Sequence, residues 1–168
     1  MPESQAAEKS KVALTTRVRW VLARLDPEQR LAAIGAALLI VSEFLPWYTN
    51  DFEIGGGVRT VTQTALQSAS YVELALLIIA AAVGLLLFWR AEGHELHLPT
   101  SDGTLLTIAG LWSTVLIFLR MLDRPEATIN ELTLRLGLDW GVFVALAATV
   151  TLTTAGLRER RKRTGDLQ

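Results

Sequence analysis

Four long apolar blocks, with almost all of the charge lying between them, constrain this chain more than any other feature. They cover residues 31–47, 71–89, 105–122 and 140–157. Each is close to the ~20 residues that an α-helix needs to cross the hydrocarbon layer of a bilayer. None alternates apolar with polar residues, so a strand reading of these blocks fails. The other way to hide such helices is inside a large soluble domain. With 168 residues, 51% of them hydrophobic and 20% charged, too little polar chain remains to wrap four apolar helices. The expected fold is an all-α membrane protein, a four-transmembrane-helix bundle over residues 26–157, with the lipid bilayer as its first partner.

The same composition narrows the function classes. A net charge of −1 gives no global basic field, so no nucleic-acid partner is expected. The absence of cysteine removes disulfides, iron–sulfur clusters and thiol nucleophiles. Orientation follows from Lys and Arg. Lys9, Lys11, Arg17, Arg19, Arg24 and Arg30 precede the first block, Arg90 follows the second, and Arg158, Arg160, Arg161, Lys162 and Arg163 follow the fourth. Only Arg59, Arg120, Arg124 and Arg135 fall on the other side. Both termini are therefore expected in the cytoplasm, in a multi-pass protein of a bacterial cell membrane. Thirty residues precede the first block and no small-x-small site follows it, so it reads as a retained anchor rather than a cleaved signal.

Outside the spans, residues 1–10 are polar and read as a loose tail, and residues 158–168 as a basic cytoplasmic tail. Over residues 11–25, Leu14, Val18, Val21, Leu22 and Leu25 share one helical face, with Arg17 and Arg24 flanking it and Arg19 further round. That pattern predicts an N-terminal interfacial amphipathic helix whose arginines reach lipid headgroups. Asp26, Pro27 and Gln29 then read as a cap, a first-turn proline and a capping-box partner opening the first span. Gly55, Gly56 and Gly57 lack the strand, helix and lysine of a phosphate loop and read as a flexible turn. His94 and His97 sit between Gly93 and Pro99 with no third ligand nearby, which argues for a solvated loop and against a metal site. Ser101 or Asp102 caps the third span, and the alternation of Leu132, Leu134, Leu136 and Leu138 suits a short strand or rim segment. No cofactor is expected.

Three runs carry a resemblance. Asp102-Gly103-Thr104 with Gly110, Trp112, Arg120, Asp123 and Pro125 is one; Trp140 through Leu146 with Gly156 before a basic tail is another; Phe44-Leu45-Pro46-Trp47-Tyr48 is the third. Together they resemble uncharacterised four-span integral membrane proteins of actinobacterial type. The resemblance implies four spans and a lineage, and no activity.

Three ionisable residues fall inside the blocks: Glu43, Glu73 and Arg120. Glu43 lies four residues inward of Trp47, about 6 Å at helical rise, and the other two lie two residues from their span ends. All three thus share one depth in the outer leaflet. Charges in a span face the bundle interior or pair with each other. The expectation is a Glu43–Arg120 pair with Glu73 reaching the headgroups, or alternatively a proton-exchanging site on the same three residues. Trp47, Tyr48, Trp89 and Trp140 mark span ends and read as interface anchors. Trp112 sits midway in its span and reads as a packing residue. Gly141, Ala145, Thr149 and Thr153 recur every fourth residue, a small-residue stripe for close helix packing or for a homo-oligomer contact. No Ser–His–Asp set, zinc motif or Walker loop is present, so no enzyme is expected. The reading is a non-enzymatic accessory, scaffold or oligomer-forming subunit of a larger membrane complex. The alternative is a small transporter or pore.

Overall fold

The computed structural model describes residues 23–54, 57–68, 70–93, 100–124, 126–129 and 132–165. The expected helix over 11–25 lies almost wholly outside them, as do Gly55, Gly56, His94, His97, Pro125, and Arg17 and Arg19. The chain is mostly helical: α1 is Pro27–Ser42, α2 Tyr71–Ala91, α3 Asp102–Leu122 and α4 Trp140–Gly165. Between them run β1 (Pro46–Ile54), β2 (Gly57–Thr64), β3 (Glu126–Ile129), β4 (Leu132–Arg135) and β5 (Gly137–Leu138). The three helices α2, α3 and α4 are long and apolar enough to cross a membrane. The first is shorter, 16 residues, and starts and stops earlier than the block 31–47.

Its early stop has a local cause. Pro46 has no N–H to continue an α-helical ladder and biases the residue before it toward extended backbone. The Trp47 indole N–H donates to the Ser42 carbonyl at 2.7 Å, satisfying one of the carbonyls that a helix end leaves open. Pro46, Trp47 and Tyr48 therefore belong to β1, not to a span. The chain is accordingly not purely helical. β1 pairs antiparallel with β2, the ladder closing on Ile54 opposite Gly57. β5 adds to the other edge of β1 through Tyr48–Leu138 and Thr49–Gly137, giving the order β2-β1-β5. β3 and β4 form a separate antiparallel pair, so the leucine alternation does mark strand, split between β4 and β5.

The sheet stitches the two helical hairpins together at one end. The helix starts carry the expected caps: the Gln29 side chain accepts from the Asp26 N–H (3.3 Å), and the Ser101 hydroxyl accepts from the Thr104 N–H (3.3 Å). α2 ends at Ala91, and Gly93 just beyond its cap has a φ of 81°, the left-handed conformation that glycine adopts without strain. Helix α4 runs on to Gly165, so much of the basic tail is helical.

α4 is the central helix, packed against α1 and α3. Glycine makes this possible. A Cβ on Gly110 would stand 2.7 Å from the Thr153 nitrogen, on Gly156 2.5 Å from the Thr107 nitrogen, and on Gly103 2.8 Å from the Gly156 oxygen. On the α1 side a Cβ on Gly35 would stand 2.9 Å from Leu152 Cγ. Between these contacts the interior is filled by Ala36, Leu39, Leu76, Ala80, Ala148 and Leu152. The outward faces are also apolar: Ile34, Leu74, Ile78, Leu111, Phe118 and Val150 are all exposed. A bundle with apolar residues both inside and outside matches a lipid surround rather than water.

Candidate functional site: a buried ion pair at the sheet end

The ends of α1, α2 and α3 beneath the sheet hold the most concentrated buried charge. Ser70 caps α2, its hydroxyl accepting from the Val72 N–H at 3.2 Å. Glu73 completes the capping box: its Oε2 accepts from the Ser70 N–H at 3.0 Å, and its Oε1 from the Ser68 hydroxyl at 3.0 Å. That fixes the carboxylate over the positive end of the helix before any cation arrives. Arg120, in the last turn of α3, then donates its Nε–H to Glu73 Oε1 at 2.6 Å. Its Nη1 donates to the Asp123 carbonyl at 2.8 Å, and its guanidinium lies 5.5 Å from the centre of the Tyr48 ring. One arginine thus joins α2, the end of α3 and strand β1.

Glu43 behaves differently from the expectation. It is wholly buried, in the turn just past α1, and neither carboxyl oxygen has a hydrogen-bond partner among the described residues. Arg120 pairs with Glu73 and not with Glu43, because the capping box has already organised Glu73 as the better acceptor. Nor does Glu73 reach toward headgroups; it is 2% exposed. A bare buried carboxylate is costly enough that such a group takes up a proton instead, which makes Glu43 the neutral member of the trio. The Tyr48 hydroxyl is buried nearby, without a hydrogen-bond partner among the described residues. Burial pushes this phenol up to about 12, so it too is neutral.

Two of the four expected interface anchors are corrected. Trp47 and Tyr48 are fully buried under the sheet, with Gly141 packed on Pro46 and Trp47. Trp89 and Trp140 are exposed at helix ends, as is Tyr71. Trp112 is not a core residue: it is 58% exposed on the outer face of α3. Ala145 and Thr149 are buried. Thr114 donates to Thr149 at 2.9 Å, and Thr149 donates on to the Leu146 carbonyl at 2.9 Å. Thr153 lies against Gly110 and donates to the Thr149 carbonyl at 2.8 Å. The threonine face of α4 is therefore turned into its own bundle. Arg24 is exposed just before α1.

At the opposite end Arg90 holds Asp102, with Nε and Nη2 at 2.6 and 2.8 Å from its two oxygens, and Lys162 pairs with Glu28 to join α4 to α1. Among the described residues no group of three His, Asp or Glu could hold a metal ion. Each of these ion pairs ties one helix to another. The Ser70-x-x-Glu73 spacing was the signal for Glu73's role, since a Ser three residues before a Glu at the head of an apolar run is a helix start. Comparison with protein-family models, with curated proteins and with solved structures finds no match.

Proposed function

We propose that the chain is a four-span membrane anchor that acts by binding, as an accessory or scaffold subunit that holds a small sheet against one face of the bilayer. The observation that carries this reading is the closed interior. Glycine contacts and apolar side chains fill the seams of α4 with α1 and α3, and the Glu73–Arg120 charges meet each other rather than line a passage. The apolar stretch of α1, residues 31–42, supplies the fourth and shortest span. The Lys and Arg distribution supports cytoplasmic termini in a bacterial cell membrane, which puts the sheet on the far side. There β2 is an edge strand, and edge strands offer backbone donors and acceptors to a partner chain or a second copy. The resemblance to actinobacterial four-span proteins agrees with this layout.

One observation favours a second reading, proton exchange: the orphaned Glu43 carboxyl beside Glu73. Vesicles reconstituted with the full chain separate the two. The anchor reading expects proton and cation flux no faster than in empty vesicles. Flux that disappears in Glu43→Gln would replace it with a transporter.

A further inference from the structure

Two hydrogen bonds root the sheet on the end of α1. The Leu66 N–H, just past β2, donates to the Glu43 carbonyl at 3.3 Å, and the Trp47 indole donates to the Ser42 carbonyl at 2.7 Å. Ser42, Trp47, Tyr48 and Ala65 at this junction are as fully buried as Glu43 itself. The Glu43 carboxyl is thus enclosed where the sheet meets the bundle, and among the described residues neither of its oxygens has a hydrogen-bond partner.

The titratable and charged groups gathered here are Glu73 from α2, Arg120 and Asp123 from the end of α3, and Tyr48 from β1. Arg120 is already committed, its Nε to Glu73 and its Nη1 to the Asp123 carbonyl. Asp139, ahead of α4, accepts from the Trp140 N–H at 2.7 Å, and residues 64–68 and 140–148 contain no ionisable side chain. The charge that bears on Glu43 is that of Glu73, a like charge. Burial, and the Glu73 charge after it, push the Glu43 carboxyl up to about 8 from its ordinary 4.5. Ionised in the closed junction, Glu43 adds a second negative charge beside an arginine that already serves the first. Opening the junction to water relieves that cost.

We propose that Glu43 is a proton-controlled latch between sheet and bundle: protonated, it lets the junction close, and ionised, it drives the root of the sheet off the end of α1. By proton linkage the closed junction, which holds the proton more tightly, is favoured most below 4.5 and loses ground as pH rises to about 8. Above that both forms are ionised and the balance is level. Within the window one proton changes the opening equilibrium by about tenfold per pH unit. The latch goes beyond the anchor reading and does not depend on which way the chain crosses the membrane.

The chain has no cysteine, so a single introduced thiol reports opening. Ala65→Cys lies buried at the junction, Val58→Cys is exposed on β2, and Leu106→Cys is buried near the start of α3, at the far end. Each full-length variant, in mild detergent, is reacted with a maleimide between pH 5 and 9. Dividing by the Val58→Cys rate removes the pH dependence of the thiol itself. The Ala65→Cys ratio is expected to rise by about tenfold per pH unit from 5 toward 8 and then to level. Combined with Glu43→Gln or Glu43→Leu it should keep its acid value throughout. Leu136→Cys, buried beside β5, gives the same readout from a second site. A ratio independent of pH at both sites, or a rise that survives Glu43→Gln, overturns the proposal. So does an equal rise at Leu106→Cys, which would mean that the whole bundle unfolds and the sheet is not released by itself.

Discussion

Arg120 and Glu73, 47 positions apart in the chain, meet at 2.6 Å with both side chains almost completely buried. The pair is the point at which α2, α3 and β1 converge. Burying two charges is repaid only when geometry is good and the remaining polar atoms are satisfied. Here both conditions hold, since Glu73 accepts three hydrogen bonds and Arg120 also reaches the Asp123 carbonyl. Removing one partner strands the other. Arg120→Leu and Glu73→Leu are each expected to cost about 3–5 kcal/mol in detergent, and the double change less than their sum. Strict additivity in the melting experiment would mean the two do not interact.

Glu43 is expected to behave in the opposite way. A buried carboxyl with no partner contributes a desolvation cost and no bond, so Glu43→Leu should leave stability unchanged or raise it by about 1–3 kcal/mol. Infrared spectroscopy checks the charge directly. A protonated-carboxyl band should vanish in Glu43→Gln and persist in Glu73→Gln; a band that follows Glu73 instead would invert the assignment.

The α3–α4 seam gives the clearest packing test. Gly156→Ala and Gly110→Ala place a methyl within 3 Å of the facing backbone, so the helices must separate. Each should lower stability by about 1–3 kcal/mol, the range for overpacking a core. Gly84→Ala meets nothing within 4 Å and should be neutral or mildly stabilising. Equal effects at all three positions would show that the seam is not tight.

How much of this was legible in the sequence differs from feature to feature. Apolar block length is a local property, and it located α2, α3 and the start of α4 to within a few residues, while α4 continues eight residues past its block into the basic tail. The four-residue stripe on α4 was equally plain. Two readings went astray because they treated position along a helix as depth in a membrane. Pro46 ends α1 before Trp47, so the aromatic pair that looked like an interface anchor folds inward under the sheet instead. Matched depth also paired Arg120 with Glu43. Depth carries no azimuth, while the capping box at Ser70 does, and it singled out Glu73. The β1–β5 pairing joins residues 88 and 90 positions apart, and no local pattern encodes that.

The far end of the bundle carries a small pH dependence. Lys162 beside Glu28 holds that carboxyl below its ordinary value of 4.5. A carboxyl lowered in the folded state binds its proton less tightly there than in the unfolded chain. Its contribution is therefore complete above 4.5 and is lost as pH falls through the lowered folded value. The pair is at the surface, so the effect is slight and screened by salt. Glu28→Gln should remove the acid-side part of the melting profile that depends on ionic strength, with no change at neutral pH beyond the loss of the pair.

The central claim, four spans that hold the sheet on one side and both ends of the chain on the other, can be read directly because the chain contains no cysteine. Single cysteines are introduced at Ser10, at Val58 on the exposed face of β2, and at Thr164 near the end of α4. A membrane-impermeant maleimide is then applied to intact cells and to lysed ones. Val58→Cys should be labelled in intact cells, and Ser10→Cys and Thr164→Cys only after lysis. Labelling of Ser10→Cys and Val58→Cys from the same side would contradict the account, because α1 would then not cross the membrane.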